Sequence, residues 1–135
     1  MACGPFITPE RIAQMDLSKI QSCGMSARKA GYIKGIADSA ISGRVDFSRL
    51  HTLTDQEIIE TLSSLHGVGV WTAEMLLIFS LSRPNVVSFR DLAICRGMMN
   101  LYGIKELPKE KFERYRKRYS PYGSVASLYL WALSL

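Results

Sequence analysis

The chain has 135 residues, of which 47% are hydrophobic and 10% aromatic. That length is one domain's worth and buries roughly two-thirds of its unfolded surface, which excludes a disordered segment, and no run approaches the roughly 18 consecutive apolar residues of a membrane span. Seventeen Lys and Arg against twelve Asp and Glu leave a net charge of +5, a balance compatible with phosphate binding.

The first residues, MACGPFITPE, contain neither a basic n-region nor an apolar h-region. Cytoplasmic residence is expected, or nuclear residence in a eukaryote. Cys3, Cys23 and Cys95 are odd in number and widely spaced, which suits neither a disulfide framework nor a zinc site. His51 and His66 have no Cys or acidic cluster beside them. No metal and no cofactor is expected.

In chain order, Thr8, Pro9 and Glu10 start a short helix that runs to about Asp16, because a Thr cap, a Pro at the first helical position and an early acid all suit free N–H groups. LSKIQSC forms a second short helix that stops at Gly24. Ser26 caps ARKAGYIKGIADSAIS, in which Ala30, Ala37 and Ile41 recur at helical spacing until Gly43. Thr54 and Glu57 have the spacing of a capping box before IIETLSSL.

VWTAEMLLIFSL, residues 70–81, is apolar on nearly all sides and predicts a buried central helix that ends before Arg83 and Pro84. Asp91 opens LAICRGMMNLY, and Gly103 closes it. Pro108 starts KEKFERYRKRY, and Ser120 with Pro121 starts YGSVASLYLWAL, whose Tyr122, Tyr129 and Trp131 recur at packing distances and are assigned to the core. No stretch alternates with period two. The expectation is an all-α, bundle-like single domain over residues 1–135.

Charge is uneven along the chain. Residues 105–118 hold seven basic and three acidic side chains, whereas residues 51–104 hold three basic and five acidic ones. By itself the basic run reads as a solvated helix face before it reads as a binding surface.

The stretch LHGVGVWTAEMLL places Gly67 and Gly69 around Val68 immediately before a helix. Such a hairpin leaves backbone amides outward at the positive end of a helix dipole, where an anion is favoured. Phosphate is the natural ligand. A lone GxG is weak evidence, but here RPNVVSFRDLAI follows about twenty residues later.

The two segments together resemble the helix-hairpin-helix (HhH-GPD) DNA glycosylases, most closely the monofunctional branch acting on alkylated bases of the 3-methyladenine type. The resemblance runs from about residue 7 to 135. It implies base-excision repair of double-stranded DNA, by hydrolysis of the N-glycosidic bond of a damaged purine. It further implies that Asp91 is the catalytic carboxylate, that Gly67, Val68, Gly69 and Thr72 contact DNA, and that Trp71 lines the base pocket. Trp71 stands where lyase-type members carry a Schiff-base lysine, so no lyase step is implied. No cysteine follows residue 95, so no iron–sulfur cluster is implied either.

Other readings of single residues stay open. Asp91 also fits an ordinary N-cap, Trp71 fits a core residue equally well, and Glu74 is a second carboxylate on the central helix that needs no function. The chain departs from the family at His66, where proline is usual, and at Ser88, Phe89 and Arg90 before the aspartate. It also begins after the family's first helices. A catalytically inactive DNA-binding fragment, or an all-α subunit completed by a second copy or another chain, is therefore the alternative.

Overall fold

A computed structural model describes residues 6–135. Cys3, and the first five positions of the amino-terminal stretch read for a secretory leader, lie outside the described residues. Every regular element among the described residues is helical. None of the helices is long and apolar enough to cross a membrane. The chain divides into two compact units, Met1–Gly69 and Val70–Leu135.

The first unit contains α1 (Pro9–Gln14), α2 (Leu17–Gln21), α3 (Ala27–Ile41), a 3-10 turn (Phe47–Thr52) and α4 (Asp55–Ser63). Its helix starts are set by local chemistry. Thr8 Oγ1 accepts from Arg11 N, Ser26 Oγ accepts from Lys29 N, and Thr54 and Glu57 bond each other's backbone amides as a complete capping box. Ile12, Met15 and Ile20 pack with Ala30 and Ala37 of α3. The Lys34 ammonium donates to the carbonyls of Ala13 and Met15, at 3.0 and 2.7 Å, placing a cation where the end of α1 leaves acceptors unsatisfied.

The second unit contains α5 (Val70–Phe79), α6 (Leu92–Tyr102), α7 (Lys109–Tyr119) and α8 (Gly123–Ala132). Val87, Ile94, Met98, Phe112 and Leu130 form its core. Gly103 takes a left-handed conformation and ends α6. α6 and α8 approach so closely that a Cβ on Gly97 would lie 1.9 Å from the Leu130 carbonyl oxygen.

The structure differs from the sequence expectation at two helices. α5 buries Ala73 and Leu77 but leaves Trp71 and Phe79 exposed. An all-apolar helix has no preferred side, and only the faces that neighbours reach become covered. At α8, the N-cap Tyr122 and Tyr129 are exposed, while Ser124, Ser127 and Leu130 are buried. The inward face of α8 is set by what the preceding loop needs. Ser124 Oγ accepts from Val86 N at 3.0 Å and donates to the Arg83 carbonyl, and Ser127 Oγ donates to the Val86 carbonyl at 2.8 Å. Buried loop backbone must be paired somewhere, and these serines pair it, which turns the tyrosines outward.

Two glycine substitutions should therefore have opposite effects in denaturant unfolding. Gly97→Ala should cost about 3 kcal/mol, at the upper end of overpacking effects, because backbone blocks the new methyl. Gly35→Ala, on α3 with nothing within 4 Å of the added carbon, should stabilise by up to about 1 kcal/mol through helix propensity.

Candidate active site

Asp91 is the N-cap of α6, and its side chain is the most heavily bonded carboxylate of the second unit. Oδ1 accepts from the amides of Ala93 and Ile94, both at 2.9 Å, and from the Trp131 indole N–H at 3.1 Å. Oδ2 accepts from the Trp71 indole N–H at 2.9 Å. One oxygen is thus saturated, and the other keeps acceptor capacity.

The residue is only 7% exposed. Burial pushes its pKa up, but the bonds from Trp71, the Ile94 amide, Trp131 and the Ala93 amide outweigh burial and hold the carboxyl below the usual aspartate range. It is an anion at neutral pH, at the positive end of a helix.

The two tryptophans differ in setting. Trp71, in the first turn of α5, leaves 47% of its surface open. Trp131, near the end of α8, is half-buried with its ring stacked on Phe79 at 5.7 Å between centroids. Thr72 is half-buried beside Trp71 in sequence. Trp71, named from the sequence as either core or pocket, is therefore neither a buried core residue nor free of Asp91.

Trp131 does more than its sequence position indicates. It does pack against the core of the second unit, as its place on an apolar helix implies, and its N–H also points at the carboxylate. The available signal was chemical: a buried indole needs an acceptor, and Asp91 is an acceptor at a helix start.

Gly67, Val68 and Gly69 belong to the first unit, where a turn is closed by the Val68 amide donating to the Leu65 carbonyl at 3.1 Å. The two glycines are not equivalent. Gly67 has φ +87°, and a Cβ there would lie 2.3 Å from the Tyr32 ring, so both the turn and the packing demand glycine. Tyr32 also meets His66 edge-on at 5.0 Å. Gly69 has nothing within 4 Å of an added carbon. It is the glycine with room for another molecule. Among the described residues, no group of three or more His, Cys, Asp or Glu side chains is placed to hold a metal ion.

The sequence model of the HhH-GPD superfamily of base excision DNA repair proteins matches residues 1–121. DNA-3-methyladenine glycosylase 1 of Schizosaccharomyces pombe is 38% identical over 133 residues, covering 97% of this chain and 58% of the relative. The structure of the S. pombe 3-methyladenine DNA glycosylase with abasic DNA superposes with a TM-score of 0.81 over 93% of this chain and 62% of that one, at 38% identity. A DNA-3-methyladenine glycosidase from Bacillus halodurans does so with a TM-score of 0.85 at 36% identity, over 98% of this chain and 62% of that one. The chain thus spans about three-fifths of the length of these relatives.

The site makes a prediction for stability against pH. Because its pKa is depressed by folding, Asp91 contributes stability that is present above the ordinary value of about 3.9 and is lost as pH falls through the folded value. Asp91→Asn keeps an acceptor for the helix amides but sets an amide N–H₂ against an indole donor. It should cost about 1–3 kcal/mol at neutral pH, measured by thermal melts, and the difference from the parent should shrink in acid.

Proposed function

The chain belongs to the HhH-GPD superfamily of base excision DNA repair proteins, and on that premise we propose that it is a monofunctional DNA glycosylase that hydrolyses the N-glycosidic bond of alkylated purines in double-stranded DNA. The observation that carries the reading is the Asp91 carboxylate. It is held anionic, with one oxygen saturated by donors and the other able to face a reacting centre.

Breaking the bond between base and deoxyribose builds positive charge on the sugar. A fixed carboxylate stabilises that charge and takes the proton from the water that adds to the anomeric carbon, as carboxylates do in glycoside hydrolysis generally. The alkylated purine leaves with the bonding electrons, which neutralise its own positive charge. The open ring of Trp71 offers an aromatic face to such a cationic base once the nucleotide is turned out of the duplex.

Gly69 supports the DNA-binding part of the reading, because open space at that position lets a phosphate approach the backbone just before α5. Val68 and Thr72 are the other residues that this reading assigns to DNA contact. Such contacts hold the backbone and carry no sequence preference. The compartment is then that of the cell's DNA, cytoplasm or nucleus.

One observation favours a second reading. The open backbone at Gly69 serves binding without chemistry equally well, so a part that holds DNA and releases no base is the alternative.

Incubation with methylated duplex DNA separates the readings. The parent should release alkylated purine, and Asp91→Asn should lose release by at least a hundredfold while still binding the duplex. Equal release by both would overturn the role of Asp91. Binding without release by the parent would favour the second reading. Binding itself should weaken steeply with added salt. Gly69→Ala should weaken it several-fold with stability kept, whereas Gly67→Ala should show mainly as a lowered melting temperature.

A further inference from the structure

Glu74 lies three residues beyond Trp71 on α5, so the two side chains share a face of the helix. Trp71 bonds Asp91, and Glu74 Oε2 accepts from the hydroxyl of Ser88, a residue with no exposed surface. Ser88 and Asp91 are in turn the two ends of one turn, closed by the Asp91 amide donating to the Ser88 carbonyl at 3.4 Å. α5 therefore grips both ends of the four-residue turn that carries the carboxylate.

We propose that Glu74 is a positioning residue for Asp91: through Ser88 it fixes the far end of the turn and so the placement of the Asp91 carboxylate. This rests on the reading of Asp91 as the reacting carboxylate. It also gives a role to Ser88, whose fully buried hydroxyl needs an acceptor. Glu74 supplies that acceptor.

The charged groups facing Glu74 from the turn are Arg90 and Asp91. Burial pushes the Glu74 pKa up, the Ser88 bond and Arg90 pull it down, the Asp91 charge raises it, and the outcome is upward. The environments thus push the two carboxyls apart, with Asp91 the stronger acid. As pH falls, Glu74 takes up its proton first, and the Ser88 anchor changes character while Asp91 is still ionised.

The chain has two tryptophans, and both indole N–H groups donate to Asp91. The two indole signals in a proton–nitrogen correlation spectrum therefore report the seat of this carboxylate without any need for activity. On lowering the pH of the parent, the Trp71 signal should move with a midpoint above the ordinary glutamate value of about 4.3. Glu74→Gln should abolish that step, and Ser88→Ala should displace the signal at every pH.

In single-turnover base release, Glu74→Leu should slow the chemical step about tenfold or more with DNA affinity unchanged, the signature of a misplaced group. Glu74→Gln, which can still bond Ser88, should restore most of the rate. The proposal is overturned if the indole signals of Glu74→Gln and Ser88→Ala follow those of the parent throughout, or if Glu74→Leu folds and keeps the parental rate. The spectra decide the matter even if Glu74→Leu fails to fold. If Asp91→Asn releases base normally, the catalytic reading fails by itself, and the spectra still establish whether Glu74 holds the turn.

Discussion

The Asp91 carboxylate joins α5, α6 and α8 by four hydrogen bonds, two from backbone amides and two from indoles. A buried anion is costly unless every donor around it is in place, and removal of any one leaves a charge short of compensation. The arrangement of the second unit follows from that requirement. α6 must begin at this residue so that its free amides point at the carboxylate. α5 must bring Trp71, and α8 must bring Trp131, each with its N–H aimed at the same group.

The loop from Ser80 to Arg90 has to deliver Asp91 to that meeting point, and its residues 86–88 are buried. Its polar groups are taken up by α8: Ser124 serves Arg83 and Val86, its amide bonds the Pro84 carbonyl at 3.0 Å, and Ser127 serves Val86. These serines lie on the same helix as Trp131, four residues beyond Ser127. One helix therefore both secures the loop and closes the carboxylate site. The close approach of α6 and α8 at Gly97 keeps that helix near the start of α6.

What was legible in the sequence was local. Thr8, Ser26, the Thr54–Glu57 pair, Asp91 and Gly103 mark their helix ends through chemistry that spans at most four residues, and each performs that task in the structure. Contacts between distant residues were not legible in the same way. Trp131 and Asp91 are forty positions apart, and helical spacing offered only a core assignment for the tryptophan. Tyr122 and Tyr129 were misassigned for a related reason, since an apolar helix does not declare which side its neighbours will cover. Serine would be expected to face water, yet on α8 the buried loop backbone makes the serines the inward residues. At the hairpin, two glycines of equal appearance turned out to have different duties, because Tyr32, over thirty positions away, occupies the space beside only one of them.

The donors around Asp91 keep its carboxylate ionised in spite of its burial. Carbon-13 labelling of the aspartate carboxyls, followed by NMR through an acid titration of the intact chain and assigned with Asp91→Asn, measures this directly. Asp91 should titrate with a midpoint below the ordinary aspartate value of about 3.9, with both indole N–H signals showing a step there, below the separate Trp71 step that follows Glu74. A midpoint well above that value would contradict it, since the carboxyl would then be a buried neutral acid that burial controls and its donors do not.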